Sequence, residues 1–286
     1  MKKISVREQG LVGTLFSSGT PKSAIILLGG SSGGINESRA ERLAAHGFAA
    51  FALAYFGCET LPPTLNRIPL EYFQKAMQWM HDWEGIERIG IWGGSRGAEA
   101  SLILGTLFPD QIQAIAAHVP TSVVYGAIDD QSAPAWTYRG EPIAPNAPFI
   151  EPNVSNTALG LDQETAIALT PCFLGGMEDK NAFARAAIPV EKIRCPLLLI
   201  SAEDDQMWPS TIFAKQIVER LNVHRSPIPC THHSYPRVGH APSAGTAGLH
   251  PIIKRWFTYG GNPTDNEVAA HDWWDKTIEF FQTDCV

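Results

Sequence analysis

The sequence has few cysteines and no long apolar segment. Its five cysteines lack C-x-x-C spacing and stand at Cys58, Cys172, Cys195, Cys230 and Cys285. An odd, scattered set predicts free thiols in a reducing compartment, not a disulfide framework or a zinc site. The N-terminus, MKKISVREQG, has no apolar run after its lysines, and no stretch elsewhere is long enough to span a membrane. These features predict a cytoplasmic protein without a membrane span.

The sequence also has no excess of positive charge. Lys and Arg total 22 against 29 Asp and Glu, which gives a net charge of -7, and no basic block occurs. Nucleic acid is therefore not an expected partner. No closely set histidines or paired carboxylates suit a metal, and no G-x-G-x-x-G run suits a dinucleotide. We therefore expect no metal and no organic cofactor.

The sequence predicts short buried strands that alternate with helices. Apolar runs at 24–28, 48–55, 88–92 and 112–119 alternate with helical patterns at 36–46, 69–80 and 95–108. This order predicts an α/β protein with a doubly wound, mostly parallel sheet. Pro69 is expected at the first position of its helix. Residues 3–16 predict an edge hairpin, and further strands and helices are expected at 196–201, 210–221, 230–235 and 265–281.

The alternation stops between residues 120 and 188, which are rich in proline and carry several aromatic residues. Long irregular segments in compact domains are usually functional lids or disordered, and the aromatic residues favour an ordered lid. We therefore expect one domain over residues 1–286, with 120–188 as an inserted lid or cap. Trp136, Tyr138 and Trp208 could line a substrate pocket or could equally pack in the core.

The run G-G-S-R-G at 93–97 matches G-x-S-x-G between a strand and a helix. That setting is typical of the nucleophile turn of an α/β-hydrolase, in which the serine hydroxyl projects from a sharp bend. Ser95 is therefore the predicted nucleophile. A second match, G-S-S-G-G at 30–34, follows an earlier strand and predicts an oxyanion loop. The backbone N–H groups of Ser31 and Arg96 are the expected oxyanion donors, and Ser32 is the alternative nucleophile.

A serine hydroxyl needs a base, and the base needs an orienting acid. His240 lies in a loop after the last predicted strand, as the chain order Ser, Asp or Glu, His requires. The strand that ends near residue 201 leads into Glu203, Asp204 and Asp205. Asp205 is the favoured acid, Asp204 is the alternative, and Glu203 is expected to be a solvated turn residue.

Several stretches together resemble one family. They are GFA at 47–49, ESRA at 37–40, LAYF at 53–56, IPLEYF at 68–73, GSRGAE at 94–99, IPVEKI at 188–193 and EDDQ at 203–206. From about residue 24 to residue 274 the chain resembles the C-terminal catalytic domain of acyl-coenzyme A thioester hydrolases and bile acid-coenzyme A:amino acid N-acyltransferases. Single pieces are shared with dienelactone-hydrolase-like esterases.

The resemblance implies a triad of Ser95, Asp205 and His240 acting on an acyl thioester through an acyl-enzyme intermediate. The amino-acid-conjugating members carry cysteine at the nucleophile, so serine implies water as the acyl acceptor. Family members usually carry an N-terminal β-sandwich domain, whereas the hydrolase pattern begins here near Met1. A carboxylesterase acting on oxygen esters is therefore the alternative, and a binding protein without activity is a third hypothesis.

Overall fold

The structure, a computed structural model, describes residues 1–83, 85–150, 166–241 and 257–285. In these residues the strands are β1 (Lys2–Val6), β2 (Val12–Ser17), β3 (Ser23–Leu28), β4 (Ala49–Ala54), β5 (Ile68–Pro69), β6 (Arg88–Gly94), β7 (Ala114–His118), β8 (Trp136–Tyr138), β9 (Glu141–Pro142), β10 (Leu197–Ala202) and β11 (Cys230–Tyr235). The helices are α1 (Glu37–Ala44), α2 (Glu71–Asp82), α3 (Arg96–Leu107), α4 (Thr170–Gly176), α5 (Lys180–Arg185), α6 (Ser210–Val223) and α7 (Pro263–Asp284), with a 3-10 turn at Val190–Lys192.

Eight strands form the main sheet in the order β1-β2-β4-β3-β6-β7-β10-β11. The six strands from β4 to β11 in this order pair in parallel. The hairpin of β1 and β2 pairs antiparallel to β4 at one edge. The predicted mostly parallel sheet with an edge hairpin is confirmed.

Both faces of the sheet are covered, and the residues of each strand alternate between two apolar cores. Ile26 packs in one core with residues of α2, α3 and α6. Ile25 and Leu27 pack in the other core with residues of α1 and α7. Because successive side chains of a strand point to opposite faces, a strand covered on both sides must be apolar throughout. This explains the unbroken apolar runs in the sequence.

The direction of strand addition reverses between β3 and β6. From β3 the chain adds β4 on one side, then crosses back to add β6 on the other side. At such a switch point the loops after neighbouring strands diverge and leave a crevice at their carboxyl ends. The loop after β3 contains residues 29–34, and the turn after β6 contains Ser95. Both predicted site segments therefore lie at the same edge of the sheet, where Gly30 approaches Ser95.

Pro69 does not begin a helix, contrary to the prediction; it lies in β5, and α2 begins at Glu71. The backbone N–H groups of Ile68 and Leu70 donate to carbonyls of the inserted segment at 2.8 Å each. Proline has no N–H to donate, and it occupies the position between these two donors. Pairing with β8 thus overrides the helix-start preference of proline.

The inserted segment is partly described, and residues 151–165 lie outside the described range. Its strand β8 joins β5 and β9 in a second, three-stranded sheet, and its helices are α4 and α5. Trp136 in β8 is only 1 % exposed and belongs to the core of the main sheet. Its indole packs rather than lining an open surface. The role of this segment as a lid, and the single-domain boundary, stay predictions.

Three further features bear on the expectations from composition. None of the helices among the described residues is both long and apolar enough to cross a membrane. Within the same residues no group of three or more His, Cys, Asp or Glu is placed to hold a metal ion. Free thiols are found at Cys58, Cys195, Cys230 and Cys285.

Helix α7 is expected to contribute strongly to stability through its buried face. Phe281 is fully buried and packs with Phe48. Phe281→Ala should lower the free energy of unfolding by about 3–5 kcal/mol because it leaves a cavity. Val268→Ala, at a 65 % exposed position of the same helix, should change it by less than about 0.5 kcal/mol. Urea titration of both variants measures this, and equal effects would contradict the packing described for α7.

Candidate active site

The turn between β6 and α3 places Ser95 in a strained conformation. Its φ is 56° and its ψ is -121°, which is rare for a residue with a side chain. A Cβ added to Gly93 would lie 2.1 Å from the Gly97 carbonyl oxygen, and one added to Gly97 would lie 2.3 Å from that of Leu28. The flanking glycines are therefore required by close backbone contacts. The Ser95 N–H donates to the His118 carbonyl at 3.0 Å, which holds the turn to β7.

The structure brings His240 and Asp205 to Ser95. The distance from His240 Nε2 to Ser95 Oγ is 2.9 Å. His240 Nδ1 lies 2.9 Å and 2.8 Å from the two carboxylate oxygens of Asp205. A carboxylate at Nδ1 favours the tautomer that leaves Nε2 able to accept a proton. The three side chains thus form one continuous hydrogen-bonded chain, and His240 and Asp205 are 7 % and 3 % exposed.

The three acids after β10 have different partners. Asp205 Oδ1 accepts from the backbone N–H groups of Met207 and Trp208 at 3.0 Å and 3.2 Å, in addition to facing His240. Asp204 instead accepts from the Gly261 N–H at 2.7 Å, which holds the turn before α7. Glu203 accepts from the Ser234 hydroxyl at the surface. Of the two candidates that the sequence left open, Asp205 is therefore the one that faces His240.

Trp208 supports the His240 ring instead of lining an open pocket. It is 3 % exposed, and its ring centroid lies 5.7 Å from that of His240 in an edge-on arrangement. Its indole Nε1 donates to the Val119 carbonyl at 3.1 Å. Val119 has a φ of 43°, which is an outlier for a β-branched residue. Trp208 therefore contacts both the strained backbone at Val119 and the ring of His240.

The glycine-rich loop after β3 lies against Ser95. A Cβ on Gly30 would be 3.1 Å from Ser95 Cβ and 3.6 Å from Ser95 Oγ, so a side chain at this position would make a tight contact with the serine. The Tyr55 hydroxyl donates to the Gly29 carbonyl at 2.5 Å and anchors the loop. Ser31 and Ser32 are exposed. The Ser31 and Arg96 N–H groups stay the predicted oxyanion donors, and the first N–H groups of a helix have no intrahelical partner.

A buried ion pair stands directly behind the serine turn. Arg96 is 5 % exposed and Glu99 is fully buried. Arg96 Nη1 lies 3.1 Å from Glu99 Oε2. Burial raises the pKa of Glu99 to about 7, and the Arg96 charge and the hydrogen bond from Trp136 oppose this rise. Arg96 and Glu99 are three residues apart on α3, a spacing suited to a helical ion pair, but the sequence contained no signal that both charges would be buried.

Two other histidines near the sheet have structural partners. His118 is buried, and its Nε2 lies 2.9 Å from the Thr277 hydroxyl. Burial lowers the pKa of His118 well below its ordinary value, so it is neutral. His232 lies 2.8 Å from the Ser201 hydroxyl. Neither ring is hydrogen-bonded to Ser95, whereas the His240 ring is.

Solved structures of low sequence identity share this fold. The chain matches an esterase from Pyrococcus furiosus with a TM-score of 0.56 at 14% identity, covering 100% of this chain and 93% of that one. It matches a putative dienelactone hydrolase from Klebsiella pneumoniae with the same TM-score and identity, covering 98% and 97%. These similarities confirm the α/β-hydrolase fold.

Curated relatives and a family model give the finer classification. The chain is 29% identical to mouse acyl-coenzyme A thioesterase 2, mitochondrial, over 98% of this chain and 60% of that protein. It is 31% identical to mouse acyl-coenzyme A thioesterase 6, over 99% and 65% respectively. The chain thus spans about three fifths of the length of these relatives. The model described as BAAT / Acyl-CoA thioester hydrolase C terminal matches residues 68–285. The resemblance inferred from the sequence is confirmed, and the chain belongs to the BAAT / acyl-CoA thioester hydrolase C-terminal family.

Proposed function

We propose that this chain is a serine hydrolase that cleaves an acyl thioester of the acyl-coenzyme A kind. The observation that carries the proposal is the hydrogen-bonded chain from Asp205 through His240 to Ser95. It lies at the carboxyl edge of the sheet, which is the edge at which open α/β sheets bind their ligands. Family membership supports the choice of acyl chemistry.

In the acylation step, Ser95 Oγ attacks the acyl carbon while His240 Nε2 takes the hydroxyl proton. The Asp205 carboxylate stabilises the imidazolium that forms and holds the ring in position. The tetrahedral intermediate then collapses, the carbon–sulfur bond breaks, and the thiolate takes the proton from His240. The acyl group is left on Ser95 as an oxygen ester.

The negative charge that develops on the carbonyl oxygen needs fixed donors. The backbone N–H groups of Ser31 and Arg96 are the proposed pair, because one lies in the glycine loop and the other directly follows Ser95. Such donors are most effective when they are oriented before the reaction, since no reorganisation is then needed. The contact of Gly30 with Ser95 and the anchor from Tyr55 to Gly29 support a fixed loop.

In the deacylation step, His240 takes a proton from a water molecule that attacks the acyl carbon. The second tetrahedral intermediate releases the carboxylic acid, and Ser95 Oγ recovers its proton from His240. Water as the acceptor fits the serine at position 95, because the resemblance associates cysteine at this position with amino-acid conjugation. The proposed products are therefore a thiol and a carboxylic acid.

Oxygen esters are the second candidate substrate class. The similar solved structures include an esterase and a putative dienelactone hydrolase, and the same three residues could cleave an oxygen ester. An alcohol leaves less readily than a thiolate, so the proton from His240 then matters more. Thioesters are favoured because the curated relatives that match nearly the whole chain are named acyl-coenzyme A thioesterases.

The proposed partner is thus a small acyl thioester or ester, and no nucleic acid is expected with a net charge of -7. The proposed location is the cytoplasm, for which the scattered cysteines are the support.

Replacing Ser95 should abolish turnover. Wild type and Ser95→Ala are compared on coenzyme A thioesters and p-nitrophenyl esters of matched acyl chains. We expect wild type to prefer the thioesters and the variant to lose activity on both classes by at least about a thousandfold. A fluorophosphonate probe should label wild type only.

Other outcomes of this comparison have definite meanings. Turnover of the oxygen esters alone, lost in the variant, would move the substrate to the second class. Activity that survives Ser95→Ala would contradict the proposed nucleophile and make Ser32 the next variant. A folded wild type that neither reacts with the probe nor hydrolyses any ester would support a binding protein.

The two neighbouring aspartates provide a matched pair for testing the acid. Asp205→Asn should lower kcat by about a thousandfold or more because it favours the wrong histidine tautomer. Asp204→Asn keeps an oxygen acceptor for Gly261 and should lower kcat less than about tenfold, since Asp204 does not face His240. Steady-state kinetics of both folded variants measures this, and a larger loss in Asp204→Asn would reverse the assignment.

A further inference from the structure

The ion pair behind the serine turn connects two parts of the chain that are distant in sequence. Arg96 is the first residue after Ser95, and the Glu99 backbone N–H donates to the Ser95 carbonyl at 3.1 Å. Both residues therefore belong to the turn that holds Ser95. Their side chains extend away from it into the inserted segment.

The Arg96 guanidinium is held on more than one side. Its Nη2 donates to the carbonyls of Tyr125 and Gly126 at 3.0 Å each, and its Nη1 faces Glu99. With 5 % of the residue exposed, water contributes little to its solvation. A buried guanidinium requires a compensating anion and directed acceptors. Glu99 is the anion and two carbonyls accept from Nη2, whereas Arg96 Nε has no hydrogen-bond partner among the described residues.

Glu99 binds the same piece of the inserted segment. Its Oε1 accepts from the Trp136 indole N–H at 2.6 Å and from the Tyr125 backbone N–H at 3.3 Å. Trp136 is itself fixed among the rings of Tyr55 and Phe73. The carboxylate is therefore attached to a rigid part of the core.

Stability alone is a weak reason for such a pair. Replacing a buried ion pair with uncharged residues of similar size is often neutral or stabilising, whereas removing one member is strongly destabilising. The raised pKa of Glu99, about 7, indicates that burying its negative charge is unfavourable even beside Arg96. The position of the pair indicates a different role. The pair fixes the side chain of Arg96, and the backbone N–H of Arg96 is the proposed oxyanion donor.

We infer that Glu99 and the Arg96 side chain are positioning residues, which fix the Arg96 backbone N–H relative to Ser95 by locking the first turn of α3 to residues 125–136. They act on the reaction through that N–H and do not contact the substrate. The inference rests on the proposed function, because it assigns a role within the same reaction.

The expected consequence is a loss in kcat without a matching loss in substrate affinity. An oxyanion donor acts in the transition state, and removing one entirely lowers kcat by about a hundredfold to a thousandfold. Displacing a donor should lower kcat less than removing it. We therefore expect about a tenfold decrease in kcat and a KM that changes less than about twofold.

The test compares wild type with Arg96→Met, Glu99→Gln and the double variant at pH 8, where the Glu99 carboxylate is mostly ionised in wild type. Glu99→Gln should lower the Tm because it leaves the guanidinium uncompensated. The double variant removes both charges and should recover Tm. Its kcat should nevertheless stay about tenfold below wild type, because the Arg96 guanidinium no longer holds the first turn of α3 to the carbonyls of Tyr125 and Gly126. Recovery of kcat together with Tm would overturn the inference and leave the pair a purely structural feature.

Two more variants keep the result interpretable. Leu102→Ala, at a fully buried position of the same helix, should lower Tm and leave kcat within about twofold of wild type. Trp136→Phe removes one hydrogen bond to Glu99 and leaves both charges. It therefore tests the inference even if the charge variants fail to fold. It should lower kcat severalfold at constant KM, and an unchanged kcat would count against the inference.

If wild type itself fails to hydrolyse any ester, the proposed function and this inference fail together. An active wild type with an equally active double variant contradicts the inference alone.

Discussion

The close backbone contact at Gly97 is the constraint on which the site depends. A Cβ at this position would lie 2.3 Å and 2.5 Å from the carbonyl oxygens of Leu28 and Gly29. The start of α3 therefore rests directly on the end of β3. This contact places the turn of Ser95 beside the glycine loop, and it is possible only because residue 97 is glycine. The strained backbone of Ser95 is the conformational cost of the arrangement.

The surrounding residues hold that turn from several directions. The Ser95 N–H is bound by the end of β7, the loop after β3 is anchored by Tyr55, and the first turn of α3 is tied to the inserted segment by Arg96 and Glu99. Each tie comes from a different part of the chain. The stability of the main sheet, with two apolar cores, allows such strain and buried charge to persist at one edge.

Much of this arrangement could be predicted from the sequence because the relevant signals are local. Apolar runs revealed the buried strands, and G-G-S-R-G at 93–97 between a strand and a helix indicated the serine turn. Chain order then indicated His240 and a carboxylate in the turn after β10, with Asp205 favoured over Asp204, and the structure brings His240 and Asp205 to Ser95. The family resemblance used the same segments, and the comparisons confirm it.

What the sequence did not reveal depends on contacts between distant residues. Proline at position 69 locally favours a helix start. Pairing with β8, more than sixty residues later, instead places Ile68 and Pro69 in a strand. The choice between Asp204 and Asp205 is decided by which carboxylate reaches His240 and which reaches Gly261. The burial of Glu99, the strain at Val119 and the Tyr55 anchor likewise have no local pattern, because each arises from tertiary packing.

The proposed mechanism requires an acyl group bound covalently to Ser95, and this intermediate can be trapped. Wild-type protein is mixed with the acyl-coenzyme A ester it hydrolyses best, quenched in acid within milliseconds, digested and analysed by mass spectrometry. We expect an added acyl mass on the peptide that contains Ser95 and on no other serine peptide. Acylation of Ser31 or Ser32 instead, or turnover under single-turnover conditions without any acylated peptide, would contradict it.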